Sequence, residues 1–575
     1  MSKASPRGFS LFDGLFKYLD RQKPSDRFIL CLLLLTLVVA LWYTLYALNH
    51  KYIVDVPTAG GTLVEGMVGA PRFVNPVLSI TRVDHDLSAL VYSGLVELQP
   101  DGTFSPDLAE SVTVSEDGLV YNVILRQDRS FHDGTPVQAE DVAYTIGLIQ
   151  NPAMKSPLRG NWSGVVVEVI SPTEINFVLD NAYTPFMENL AVGILPKHIW
   201  ESLSEDAFPF SQLNTDPVGS GPYELASVIR DQSGLISQYT LRAFEDGEVP
   251  ANIDNIIVRF YSNEDEVAEA LVSGEINSTA SLSEGTLSRF DLEGWQTVEK
   301  PLPRVFSIFF NQNKSSALRD SSVREALGIM IDRDALIERS LNGFGVPAYS
   351  PLPASFSEVA VDEVGSKSLE DRLAEAKAVL ESGNWEESEN GSWSKDIDNS
   401  STTLSVRLRS ANASVFDNTA AYILENWRAL GVEVEVELYE QSDLVQTIIR
   451  PRDYEALLFG TDIGRPLDLY PFWHASQRED PGLNVALYTS ITSDRLLEKV
   501  RVSKSLEERD ELLTEFVDEI QEEEPAIFLF SPSFVYVLSP TVHVSDMDRL
   551  AKPSERFANV EDWFINESSV WPIFR

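Results

Sequence analysis

The chain has 575 residues with 45 basic and 88 acidic side chains, a formal net charge of −43 and a single cysteine. A field of that sign repels nucleic acid and anionic lipid surfaces, which removes both as partners, and one cysteine rules out an internal disulfide framework. The length leaves room for several domains of about 100–200 residues each, stabilised by core burial.

The first element is apolar. Phe28 to Leu48 runs without a charge, and at ~1.5 Å per residue a helix of that length matches the ~30 Å hydrocarbon core of a bilayer. Lys3, Arg7, Lys17, Arg21, Lys23 and Arg27 precede it, against Asp13, Asp20 and Asp26, whereas Lys51 alone follows before Arg72. The positive-inside bias then keeps residues 1–27 in the cytoplasm, makes 28–48 a transmembrane anchor, and exports the rest, periplasmic or cell-surface, behind a stalk at 49–59. A cleaved signal peptide fits less well, because the run is long and ends in bulky "LWYTLYALNH" instead of small residues. Cys31 sits inside the apolar run, without the small residues of a lipidation site, and reads as a membrane-helix side chain.

Beyond the stalk, strand and helix patterns alternate. "IDNIIVRF" (253–260) has the pattern of a buried strand, and 264–274 that of a short helix ending at Gly274. Residues 321–343 place Val323, Ala326, Leu327 and Met330 on one helical face, with Ser322 and Glu325 as a capping box and Gly343 as the stop. Leu369, Leu373, Ala376 and Leu380 form a second stripe, ending at Gly383. A helix near 417–430 leads into "GVEVEVELYE", whose alternation predicts a strand with one wet face. A helix over 506–521 precedes the buried-type strand 526–530, and the polar region 384–401 reads as a surface loop or hairpin tip. Interleaving of this kind predicts α/β layers.

No catalytic pattern stands out. The six histidines (50, 85, 132, 198, 474 and 543) are scattered without metal-ligand spacing, and Ser392–Lys395 matches an S-x-x-K motif by count only, in a polar loop. The reading is of a non-enzyme without metal or cofactor. A hydrolase on the same scaffold is a remote alternative.

One stretch is more specific. "YNVILRQDRSFHDGTPVQAEDVAYTI" (121–146) resembles the signature of family 5 bacterial solute-binding proteins, the peptide- and nickel-binding receptors of ABC importers. Physically, Leu125-Arg126 close a strand, Asp133-Gly134 make a turn, and Glu140 or Asp141 opens a helix, so these residues mark a fold and not a reaction. On either side of it, in the family's order, lie pieces similar to its other segments: "GGTLVEG" (60–66) and "VYSGLVELQPDGTFSPDLAESVTVSEDG" before it, and "GSGPYEL" (219–225), "NIDNIIVRFYSNEDEVAEALVSGEIN" and "VREALGIMIDRDALIERSLNGFGVPAYSPLP" (323–353) after it.

The resemblance implies an α/β, two-lobed periplasmic-binding-protein fold with an extra inserted domain over 60–575, preceded here by one transmembrane helix. Lobe I would comprise about 60–92, 217–304 and 525–575, the inserted domain about 93–216, and lobe II about 305–524. Hinge strands would lie near 305–313 and near Pro525. It also implies binding of oligopeptides or a similar solute between closing lobes, with permease and ATPase subunits as partners. A ligand-sensing receptor on the same fold is the alternative. Aligning Pro466 with the family's proline puts Asp462 where peptide-binding relatives pair with the ligand's α-ammonium, with Asp468 as the nearest substitute. Asp462 as a mere turn cap is the plainer reading. Two departures stand out: Arg465 replaces an acidic residue before that proline, and "LLFGTD" (457–462) replaces a Gly-Trp.

Overall fold

The computed structural model describes residues 23–52, 54–244, 250–290, 293–353, 367–397, 399–503 and 505–570. The cytoplasmic segment expected at 1–27 lies mostly outside them. Two units are distinguished, one of Met1–Thr58 with Asn566–Arg575 and the other of Ala59–Ile565.

In the first unit the helix Pro24–Tyr52 contains, over Pro24–Ala47, a stretch long and apolar enough to cross a membrane, with none of that stretch buried. The strand Val54–Thr58 follows. It pairs antiparallel with Asn566–Val570, Val54 opposite Val570 and Thr58 opposite Asn566.

The second unit is organised by a twelve-stranded sheet in two halves. In the first half Tyr223–Arg230, Ile236–Ala243, Asn255–Tyr261, Thr62–Val68 and Ser278–Thr279 lie in that order. In the second lie Glu433–Tyr439, Ser405–Ala411, Ala456–Asp462 and Arg304–Phe310. The strand Ala526–Leu538 belongs to both. Its Ala526–Phe530 portion pairs with Arg304–Phe310, and its Ser533–Leu538 portion with Gln296–Pro301. The chain therefore crosses between halves at 302–304 and at 531–533, and not near Pro525. One strand, "AIFLFSPSFVYVL", begins just after Pro525 and runs through both halves, and Ser531-Pro532-Ser533 interrupts its apolar residues where the partner strand changes; Pro532 has no N–H to give a ladder.

Between the strands Thr62–Val68 and Tyr223–Arg230 the chain builds a separate antiparallel sheet of Ala109–Val114, Val120–Leu125, Glu174–Leu179 and Val165–Ser171. The helix Ala139–Gln150 packs on it, and its first turn is closed by Asp141, which accepts from the Gln138 N–H at 2.9 Å. Large apolar side chains fill these layers, among them Trp162, Phe177 and Trp200, each at most 1 % exposed.

Local differences from the sequence reading have physical causes. Residues 321–343 form two helices, Ser321–Ile329 and Arg333–Leu341, because Asp332 caps the second by accepting from the Ala335 N–H. The first is capped by Asp320, so Ser322 and Glu325 make no capping box. The polar region 384–401 contributes to a three-stranded meander, Glu386–Glu387, Trp393–Ile397 and Ser400–Thr403. It is anchored by Trp393, fully buried, whose indole N–H donates to the Leu430 carbonyl at 2.8 Å. Lys395 is held by Asp320 and the Gly383 carbonyl, both at 2.6 Å, which gives the S-x-x-K lysine a structural position.

The Gly219-Ser220-Gly221-Pro222-Tyr223 segment shows what its glycines do. A Cβ on Gly219 would lie 2.0 Å from the Val91 carbonyl oxygen, and one on Gly221 2.6 Å from the Val91 carbonyl carbon. That closeness lets the Gly221 N–H donate to Val91 at 2.8 Å. His132 locks the same turn: its Nδ1 accepts from the Gly219 N–H at 3.2 Å, so Nε2 carries the proton and donates to the Gly221 carbonyl at 3.0 Å. Burial lowers the His132 pKa and favours this neutral form. Gly219→Ala should destabilise the protein by about 1–3 kcal/mol, read as a lower denaturation midpoint, since backbone cannot yield as a side-chain tip does. An unchanged midpoint would refute the packing argument.

Candidate functional site

The two halves of the sheet meet at the crossover, and the chain around it brings charged side chains together. Arg304 opens one strand and Asp462 closes its neighbour, and they are direct partners in register. Arg304 Nη2 donates to Asp462 Oδ2 at 2.7 Å, with the side chains 41 % and 53 % exposed. Asp462 is thus a half-exposed carboxylate beside the crossover, held by one exposed cation.

The loop beyond it is tightly shaped. The Ile463 N–H donates to the Pro303 carbonyl at 3.0 Å, tying the loop to the crossover, and Gly464 adopts φ +69°. Arg465 then reaches out of the second half, donating to the Arg549 carbonyl at 2.7 Å and to Glu555 Oε2 at 2.6 Å. Asp468 is more enclosed. It accepts from Arg501 Nε and Nη2 at 3.0 and 2.9 Å, and also from the Tyr470 N–H at 3.2 Å. The Arg501 guanidinium lies 4.3 Å over the Tyr470 ring and 5.6 Å over Tyr183, while Thr184 donates to the Ser503 carbonyl at 2.8 Å. These contacts border a cavity of about 310 Å³ whose walls come from 102–104 and 184–188 on one side and 465–468 and 500–509 on the other.

Of the two aspartates singled out from sequence, Asp462 presents a carboxylate to solvent, whereas Asp468 has its charge met by a forked arginine. Sequence reasoning missed Arg304, 158 residues away, because only strand pairing brings it there. It also missed the aromatic wall: a Cβ on Gly460 would lie 3.2 Å from the Phe306 ring, which stacks on Phe530 at 5.1 Å and tilts against Phe416 at 5.3 Å. The small residue at 460 makes room for Phe306. Among the described residues no cluster of three His, Cys, Asp or Glu is placed to hold a metal ion.

Comparison with known proteins fits this architecture. Residues 103–481 match the family described as bacterial extracellular solute-binding proteins, family 5 Middle. The chain is 26 % identical over 537 residues to the oligopeptide-binding protein AppA of Bacillus subtilis, covering 88 % of this chain and 92 % of that one. It is 27 % identical over 396 residues to the nickel-binding periplasmic protein of Escherichia coli, covering 67 % and 72 %. In fold it resembles the periplasmic murein tripeptide-binding protein MppA in its unliganded open form, with a TM-score of 0.72 at 18 % identity over 89 % of this chain and 98 % of that one. The matched segment spans most of the described body, including both sides of the crossover, and so the chain belongs to the family 5 extracellular solute-binding proteins.

Proposed function

We propose that this protein is the membrane-anchored, extracytoplasmic binding component of an ABC importer, and that it takes oligopeptides between its two lobes and delivers them to permease and ATPase subunits. Family membership supports solute capture. The half-exposed Asp462 beside the crossover carries the peptide reading, because a carboxylate at the root of the gap suits a peptide's α-ammonium. The apolar span Pro24–Ala47 supports the anchor and keeps the receptor at high local concentration near its permease. In this reading lobe I comprises about 60–92, 217–304 and the chain beyond 531–533, the inserted domain about 93–216, and lobe II the remainder.

Ligand binding then closes the lobes about 302–304 and 531–533, with no chemistry. Spin labels on exposed Ile229 of the first half and exposed Ile491 of the second, in a Cys31→Ser background, test this. The distance between them should shorten on adding a saturating oligopeptide. Heat of binding without any change in that distance would sink lobe closure, and no heat from an oligopeptide library would sink the peptide reading.

A further inference from the structure

Away from the crossover, a second cavity lies between the first half of the sheet and the inserted sheet domain. It has two adjoining parts of about 500 and 200 Å³, which share Glu97, Asp107 and Glu561 among their walls. Asp107 is buried and bonded to Arg129. Glu97 accepts from Gln99 at 3.0 Å and from Ser105 at 3.1 Å, both neutral donors. Glu561, on the short turn Val560–Asp562, has its own backbone N–H as donor and no ion-pair partner among the described residues. Burial, with Glu97, Asp107 and Asp562 nearby, raises the Glu561 pKa to about 7. Burial raises those of Glu97 and Asp107 as well. In the wall of the same smaller part, Ser220, 5 % exposed, has an Oγ without a hydrogen-bond partner among the described residues. The larger part is walled by Phe104, Trp162 and Phe557.

A partly buried carboxylate with no ion-pair partner among the described residues, set beside aromatic walls, calls for a cation with an apolar stem. A metal ion is disfavoured, since no three ligating side chains converge among the described residues. We propose that this cavity binds a primary alkylammonium group, with the Glu561 carboxylate as counter-ion, Glu97 beside it, and the methylene stem against Phe104 and Phe557. The larger part shares Phe104 and Glu188 with the cavity at the lobe junction. The ammonium therefore has two sources, a free amine or a lysine side chain of a ligand held between the lobes; only the second rests on the proposed function.

Calorimetry on the full-length protein with cadaverine, and with paired peptides carrying lysine or norleucine, tests the proposal and separates the sources. Saturable cadaverine binding identifies a free-amine site, and a preference for lysine over norleucine identifies a side-chain pocket. In either case affinity should rise from pH 6 to pH 8 as Glu561 ionises while the amine stays protonated. Glu97, Asp107, Asp562 and Arg129 face the same space, with His85, Glu188, Lys552 and Glu555 around the larger part. Glu561→Gln should lower affinity on the order of tenfold or more, and Glu97→Gln by less, with thermal midpoints at or above wild type. Binding to Glu561→Gln at wild-type strength, affinity flat with pH, or neither cadaverine nor lysine discrimination would each overturn it. Cadaverine binding by a protein that binds no peptide keeps this site and rejects the peptide reading.

Discussion

Replacing Arg556 by methionine should cost about 3–5 kcal/mol of folding stability, the largest effect expected of any single substitution outside the hydrophobic core. Arg556 is 1 % exposed, and its Nη2 donates to Glu65 Oε1 at 3.0 Å and Asp86 Oδ2 at 2.8 Å. Its Nη1 donates to the Pro553 carbonyl at 2.9 Å, and its plane lies 4.1 Å from the Phe557 ring centroid and 5.3 Å from that of Tyr536. Tyr536 donates to the second Glu65 oxygen at 2.9 Å, so one cation and one hydroxyl serve two carboxylates sealed from water. Methionine fills much of the volume but strands both negative charges. Arg82, whose charge also acts on Asp86 and Glu65, limits the loss. Denaturant melts measure this, and a variant as stable as wild type at neutral pH would show that the charges reach water.

The second large effect is on binding. Asp462→Asn should weaken oligopeptide affinity by about 3 kcal/mol or more, because an ammonium covered by closing lobes loses its counter-charge in a dry site. The existing Arg304 contact does not prevent this exchange. Both side chains are substantially exposed, and such pairs are worth only ~0–1 kcal/mol, so a ligand-covered pair outcompetes it. By the same comparison, Arg304→Gln should change affinity only severalfold. N-acetylating the peptide should reproduce the Asp462→Asn loss in wild type and add little in the variant. Calorimetry showing wild-type affinity in Asp462→Asn would move the ammonium site elsewhere.

These expectations rest on parts of the molecule that differed in how readable they were. Alternating and stripe-forming apolar residues revealed the helix Leu369–Ser382 and the strand Glu433–Tyr439, because each buries one face and its own period reports it. The break between Ile329 and Arg333 was hidden, since an aspartate inside an amphipathic pattern reads equally as a surface residue or a new cap. The crossover at 531–533 was hidden for another reason: Ser531-Pro532-Ser533 interrupts the apolar run, but the backbone continues as one strand through it and only the partners change. At the candidate site, the sequence singled out Asp462 as a candidate only, and the structure puts it at the end of the strand Ala456–Asp462. Its partner Arg304 and the ring of Phe306 carry no local signal, being brought in by strand register. The Glu561 cavity is likewise invisible in sequence, where one glutamate among so many acidic residues means nothing until its burial is known.

The pairing of Val54–Thr58 with Asn566–Val570 changes what it takes to detach the body from its apolar helix. A single-stranded tether is severed by one proteolytic cut. Here a nick between Thr58 and Thr62 would leave the last strand still hydrogen-bonded to the stub that follows the helix. The body joins that strand at the Asn566 end, opposite Thr58, while the helix joins its partner at Val54. Tension between them would then run along the two strands in opposite directions and load all five residue pairs at once, as in a lap joint, instead of peeling them one by one. Shedding would require a second cut between Ile565 and Asn566 or separation of the two strands, so Asn566–Val570 would hold the body after the first cut.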